Sequence, residues 1–253
     1  MKILILGGTT EARELAGRLC KRGDIGVILS LAGRTARPRD QGAPTRVGGF
    51  GGAVGLARYL RQENISILID ATHPYAATIS ANAADAASET GLPFLALRRA
   101  PWENLGGDDW REVENAAEAI AALGVARCCV FLALGRQEVA PFTNAPQHTY
   151  LVRSVDPIDP PLAVPNVTYV TARGPFSEAD DRELLEQHRI EKIVAKNSGG
   201  DASYGKIAAA RTLGIPLIML RRPVLPDVHS AASVEDALAW CDHALTTAAS
   251  RGV

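Results

Sequence analysis

The amino-acid sequence predicts an α/β protein built from two units with mostly parallel sheets, and three observations carry that prediction. Short continuous aliphatic runs such as Ile3-Leu4-Ile5-Leu6 and Ile67-Leu68-Ile69 lack polar alternation, the pattern of strands covered by helices on both faces. These runs alternate with segments of helical periodicity, once before and once after a stretch rich in proline, glycine and polar residues at Pro101–Asp109. The opening strand runs directly into Gly7-Gly8 and then a helix start, so the chain begins at the centre of a sheet.

Composition narrows the class. With 253 residues, 47% hydrophobic and 22% charged, the chain can bury a sizeable core. A formal net charge of −1 leaves no basic excess for nucleic acid or a membrane surface, so an anionic ligand must be met by local groups. The four cysteines, Cys20, Cys128, Cys129 and Cys241, show no C-x-x-C spacing and read as core thiols of a reducing compartment, with no metal site. No leader and no run of ~18 apolar residues is seen, so a soluble cytoplasmic protein is expected.

Taken in order, Lys2 to Leu6 is a buried strand, and Gly7-Gly8 permits a tight turn with close approach of a ligand. Thr9 or Thr10 caps a helix of about Glu11 to Arg22, with Glu11 in its first turn. Free peptide N–H groups and the helix dipole at such a junction form an anion site. Gly7-Gly8-Thr9-Thr10-Glu11-Ala12 matches the dinucleotide fingerprint G-x-G-x-x-G in part. The second strand, Ile25 to Ser30, ends in Ser30-Leu31-Ala32-Gly33-Arg34 without the acid that would bond a ribose 2′-hydroxyl. Ser30 with Arg34 suits a 2′-phosphate instead, favouring NADP over NAD.

Gly48-Gly49-Phe50-Gly51-Gly52 reads either as a loop bent against a flat ligand or as a plain surface loop. A helix from Ala53 to Gln62 and a strand from Ile65 to Asp70 follow, and the strand runs into Asp70-Ala71-Thr72-His73-Pro74-Tyr75. Ligands of open α/β sheets gather at the carboxyl ends of strands, which makes Thr72, His73 and Tyr75 site candidates. His73 can be an acid-base group or a hydrogen-bonded loop residue, and Asp70 can simply cap the next helix. That helix, Tyr75 to Glu89, and a strand near Leu92 to Leu97 complete a βαβαβ core.

The second half repeats the alternation, with strands expected at Cys128 to Leu134, Thr149 to Ser154, Val167 to Ala172, Lys192 to Lys196 and Pro216 to Leu220. Helices are expected near Ala116 to Leu123, Glu178 to His188 and Tyr204 to Leu213, with an irregular connection at Asp156 to Pro165. Arg173, at a strand end, is placed for a carboxylate or for solvent. Lys196-Asn197-Ser198-Gly199-Gly200 is a second nest of donors, and its order does not fit a P-loop. Lys196 can be an acid, a Schiff-base amine or a carboxylate partner. Expected domains are 1–98, 110–228 and a terminal amphipathic helix within 229–253, capped by Ser233.

At these motifs the chain resembles the precorrin-6A reductases of cobalamin synthesis. The stretches that carry the resemblance are Leu4 to Ala12, Gly48 to Gly52, Asp70 to Ala76 and Lys196 to Gly200. It implies two Rossmann-like domains with a cleft between them, and NADPH as the cofactor. It also implies reduction of the C18–C19 double bond of the precorrin-6A macrocycle, with hydride to C19 and a proton to C18, giving precorrin-6B. On this reading Gly7, Gly8, Thr9, Thr10 and Glu11 line the pyrophosphate, and Ser30 and Arg34 meet the 2′-phosphate. Gly49, Phe50, Gly51 and Thr72 to Tyr75 frame the nicotinamide and macrocycle, with His73 and Tyr75 as candidate proton donors. Arg173, Lys196, Asn197, Ser198 and Gly199 meet substrate carboxylates. Whether the tetrapyrrole carries cobalt stays open, as does oligomeric state, for which a monomer suffices. A different NADP-dependent reductase or epimerase and a non-catalytic NADP sensor are the rival readings.

Overall fold

The computed structural model describes residues 1–33, 40–136 and 138–251, with side chains of the last helix described through residue 246. Contacts divide the chain into two units, one of residues 1–100 and 223–253 and one of residues 101–222.

The first unit is a six-stranded parallel sheet. Its strands are β1 (Lys2–Leu6), β2 (Gly26–Leu31), β3 (Thr45–Val47), β4 (Ile67–Asp70) and β5 (Phe94–Leu97), and the last strand of the chain, β12 (Ser230–Ala231), completes it. Helix α1 (Thr10–Cys20) joins β1 to β2, α2 (Gly52–Gln62) joins β3 to β4, and α3 (Ala77–Thr90) joins β4 to β5. The spatial order is β12-β5-β4-β1-β2-β3, so the order reverses between β1 and β4. Alternate residues of β1 face opposite cores, as the two-residue period of a strand requires. Ile3 and Ile5 pack with Leu15 and Leu19 of α1, whereas Leu4 and Leu6 pack with Leu56 and Leu60 of α2.

The terminal helix α7 (Val234–Arg251) belongs to this unit, burying Val234, Ala237, Cys241 and Leu245 in the core shared with α1. Arg18 pairs with Glu235 and Arg22 with Asp242 along that contact. Ser233 caps α7, accepting from the Asp236 peptide N–H at 3.1 Å. Burial pushes the Cys241 thiol up to about 12, leaving it an inert core group.

The second unit has the same arrangement. Its strands are β6 (Trp110–Val113), β7 (Cys129–Ala133), β8 (Thr149–Ser154), β9 (Val167–Thr171), β10 (Lys192–Lys196) and β11 (Leu217–Leu220), with order β6-β11-β10-β7-β8-β9 and every pairing parallel. Helices α4 (Ala116–Leu123), α5 (Glu178–Gln187) and α6 (Gly205–Leu213) lie between strands, and a 3₁₀ turn over Ala140–Asn144 sits between β7 and β8. Among the described residues no helix is long and apolar enough to cross a membrane.

Three findings add to the sequence expectation. The expected mostly parallel sheets are parallel in every described pairing. The edge strands β3, β6 and β12 were not expected, being two to four residues long and carrying few aliphatics. The unit boundaries also differ from 110–228 and 229–253. Pro101–Asp109 is part of the second unit, because Trp102 is stitched there by its peptide N–H to Asn197 Oδ1 (2.8 Å), its carbonyl to Asn197 Nδ2 (2.9 Å) and its indole N–H to the Gly200 carbonyl (2.9 Å). Residues 223–228 belong to the first unit, where the Arg98 guanidinium donates to the Pro226 carbonyl at 2.9 Å.

A buried ion pair fastens α5 to its sheet. Arg153 on β8 pairs with Asp181, which is 1% exposed, and lies 3.7 Å from the Phe176 ring centroid. Removing one partner of such a pair strands a buried charge. Asp181→Ala is expected to lower stability by about 3–5 kcal/mol, read as a shift in the urea unfolding midpoint with little change in slope.

Candidate functional site

The site is built where β1 and β4 part. Gly7 follows β1, donating its N–H to the Ser30 carbonyl at 2.9 Å, and a Cβ there would lie 2.7 Å from Leu29 Cδ1. Gly8 turns the chain at φ 121°, with open space where a side chain would project. Thr9 then caps α1 in extended backbone, its hydroxyl oxygen accepting the Ala12 N–H at 3.1 Å. The same hydroxyl donates to the Ala71 carbonyl at 2.9 Å.

The Thr9 side chain is therefore committed within the protein. The peptide N–H groups of Gly8, Thr9, Thr10 and Glu11 have no intramolecular acceptor among the described residues. Four donors at a helix N-terminus, in front of a residue with no side chain, fit the diphosphate of a dinucleotide. Glu11 does not face such an anion unpaired: its two carboxylate oxygens accept from Arg99 Nη1 at 3.0 and 2.9 Å. A shallow depression lined by Thr9, Glu11, Thr72, Pro74, Leu97 and Arg99 opens beside this helix start.

Asp70 organises the opposite loop. It is buried at the end of β4, and Oδ1 accepts from the Thr72 N–H (3.1 Å) and hydroxyl (2.6 Å) while Oδ2 accepts from the Ser80 hydroxyl (2.6 Å). His73-Pro74-Tyr75-Ala76 forms a turn closed by the Ala76 N–H on the His73 carbonyl at 2.7 Å, so α3 begins at Ala77 and not at Tyr75. His73 Nδ1 accepts the Tyr75 N–H at 3.3 Å, which assigns the proton of the neutral ring to Nε2. The His73 and Tyr75 rings are 5.6 Å apart.

The glycine loop lies elsewhere. Gly49, Phe50 and Gly51 follow β3, separated from Thr72 to Tyr75 by β2 and β1, a span of roughly 14 Å at ~4.8 Å per strand. The expected single frame of loop and Thr72 is thus two regions. Phe50 packs on Tyr59, with ring centroids 5.1 Å apart, and its carbonyl occupies the space a side chain at Gly55 would need. Arg46, which sequence reasoning passed over, stands beside Ser30 with Nη1 3.0 Å from Oγ. Arg34 lies outside the described residues.

In the second unit, Lys196 ends β10 at the other reversal of strand order, with Nζ 2.6 Å from Glu138 Oε1. Asn197 is spent on the Trp102 backbone, and Ser198 donates its N–H to the Lys196 carbonyl at 2.8 Å. Gly199 and Gly200 turn the loop at φ 68° and 70°. Arg173 follows β9, an edge strand, again roughly 14 Å from β10 across β8 and β7. Glu138 and Trp102 gave no motif in the sequence, since their roles exist only through these contacts. Cys128 Sγ lies 3.3 Å from His148 Nδ1, but burial raises the thiol and lowers the imidazole, so the pair is a core contact.

Thr9→Val keeps the shape of the side chain and removes both hydrogen bonds. It is expected to lower stability by about 1–2 kcal/mol, as lost caps do, while Thr9→Ser stays within about 0.5 kcal/mol of the parent. Urea unfolding of the two variants checks this.

The sequence matches the family model Precorrin-6x reductase CbiJ/CobK over residues 2–242. It is 56% identical over 247 residues to a precorrin-6A reductase of Sinorhizobium sp, covering 98% of this chain and 95% of that protein. With a precorrin-6A reductase of Rhodobacter capsulatus it shares 48% over 246 residues, covering 97% and 98%. A cobalt-precorrin-6A reductase of Priestia megaterium is 29% identical over 232 residues, covering 87% and 90%. A solved structure described as CobK precorrin-6A reductase has a TM-score of 0.92 at 47% identity, covering 96% of this chain and 97% of that one. A family match spanning nearly the whole chain, with relatives at this identity and a structure of the same fold, places the chain in the precorrin-6x reductase CbiJ/CobK family.

Proposed function

We propose that this chain is an NADPH-dependent reductase of the C18–C19 double bond of precorrin-6A, yielding precorrin-6B. The observation that carries the reading is the run of peptide donors from Gly8 to Glu11 without an acceptor among the described residues, at the strand reversal of a chain whose 56% and 48% identical relatives are precorrin-6A reductases. When bound, NADPH supplies a hydride to C19 and leaves as NADP⁺, so what the protein must provide is alignment, exclusion of water and a proton for C18.

Gly7 and Gly8 let the diphosphate approach, and the N–H groups of Gly8, Thr9, Thr10 and Glu11 hold it. Ser30, with Arg34, takes the 2′-phosphate; Gly49, Phe50 and Gly51, being beyond β3, flank the adenosine half of the cofactor. Thr72 and Pro74, beyond β4, flank its reduced half. His73 Nε2–H or the Tyr75 hydroxyl delivers the proton. Lys196, Ser198, Gly199 and Arg173 meet carboxylates of the macrocycle, and Asn197 shapes their loop through Trp102. We further place the protein in the cytoplasm, acting on a small-molecule tetrapyrrole with neither nucleic acid nor a membrane as partner. The metal-free macrocycle is favoured over the cobalt form because the cobalt-precorrin-6A reductase of Priestia megaterium is 29% identical, against 56% and 48% for the two precorrin-6A reductases.

Incubating the protein with NADPH and precorrin-6A should consume reduced nicotinamide and change the visible absorbance of the macrocycle one for one. Nicotinamide loss without a macrocycle change, or no reaction, overturns the proposal. Lys196→Ala is expected to raise KM about tenfold with kcat changed less than about threefold, the pattern of a lost ground-state contact.

A further inference from the structure

We propose that Arg46 joins Ser30 in selecting the 2′-phosphate of the cofactor, an inference that rests on the dinucleotide reading of the first unit. Arg46 sits on β3 in register with Ser30 of β2, at the strand end where acidic side chains of NAD-binding sheets bond the ribose 2′-hydroxyl. Ser30-Leu31-Ala32-Gly33 holds no acid. The Arg46 guanidinium reaches across from β3 to within 3.0 Å of Ser30 Oγ and brings the opposite charge to that strand end.

Its geometry is that of a prepared anion ligand. Nη1 donates to Ser30 Oγ at 3.0 Å and to the Gly48 carbonyl at 2.7 Å, and Nη2 donates to the Gly49 carbonyl at 3.1 Å. The guanidinium lies 3.9 Å from the Phe50 ring centroid and 5.1 Å from that of Tyr59. Three of the five N–H groups of the guanidinium are thereby used and two are left over. No carboxylate pairs with Arg46 among the described residues, unlike Arg99, Arg153 and Arg211. An arginine whose rotamer is already fixed loses little freedom on meeting a ligand, and an uncompensated charge with two spare donors suits a phosphate. The same bonds tie the glycine loop to Ser30, so one side chain presents both the guanidinium and the hydroxyl.

The test is calorimetric binding of adenosine 2′,5′-bisphosphate and of AMP, together with NADP⁺ and NAD⁺, to the full chain. Arg46→Gln is expected to weaken the 2′-phosphorylated ligands by about 10- to 100-fold, as loss of a charged hydrogen-bond donor does, and AMP and NAD⁺ by less than about threefold. Arg46→Lys should fall between, because it keeps charge without the fork. Equal weakening of all four ligands would show a residue that only shapes the loop, and an unchanged preference would show a bystander; either overturns the inference. Wild-type protein that binds NADP⁺ and NAD⁺ alike overturns the NADPH reading and this inference together, whereas a wild-type preference that survives in Arg46→Gln overturns this inference alone.

Discussion

The hydrogen bond from Thr9 to the Ala71 carbonyl closes the first unit at the point where its strand order reverses. Parallel strands separated by helices must leave from the same edge of a sheet, so the loops after β1 and β4 diverge and open a crevice. One hydroxyl spans them and also satisfies the first turn of α1 through Ala12. Asp70 completes the arrangement on the far side, since three donors on a buried carboxylate leave Thr72 one place to stand. With both loops fixed by internal bonds, the remaining N–H groups of the helix start have no acceptor among the described residues. The groups that stand out in the sequence, a threonine after two glycines and an acid after a buried strand, have side chains used in internal hydrogen bonds that fix the two loops.

Both units solve the same problem in the same way. Each has five strands in the order of a doubly wound sheet, and each takes its sixth from the segment of chain that enters it: β6 follows Pro101, and β12 follows Pro223. An edge strand of two to four residues covers the exposed side of β11 or β5. Such short strands protect an open sheet edge while contributing little to the core. The last helix then buries Ala237 and Cys241 against α1, so the chain returns to the unit in which it began.

Most of the fold was legible because the central strands are aliphatic on both faces. Ile3 to Leu6, Ile67 to Ile69 and Ile193 to Ala195 are all buried, and a run of that kind has few alternatives in a chain of this composition. What escaped was decided by pairing instead of pattern. Trp110-Arg111-Glu112-Val113 is a strand because β11 lies beside it, not because of its own residues. The site divides along the same line. Gly7-Gly8 and the Asp70 loop were visible as punctuation at strand ends, whereas Arg46 is an ordinary arginine until Ser30, Gly48, Gly49 and Phe50 surround it. Asn197 has a role the sequence does not show: it sits in a donor-rich loop, and its amide is used in both directions by the Trp102 backbone.

The ion pair of Glu11 with Arg99 follows from a conflict at the helix start. An acid in the first turn favours the helix dipole by about 0.3–1 kcal/mol. A phosphate held at the same N–H groups would face that carboxylate, and two like charges 4 Å apart repel by about 4 kcal/mol at an effective dielectric of 20. The repulsion outweighs the dipole term several times over, so a bare Glu11 would oppose the anion that the N–H groups invite. Arg99 removes the conflict by meeting both carboxylate oxygens, and the pair, 17% and 26% exposed, is sheltered enough to persist at physiological salt. Glu11 in return fixes an arginine that lines the same depression as Thr72 and Pro74. The Glu11 carboxylate fixes a cation, and the helix keeps its acid beside N–H groups that an anion could still meet.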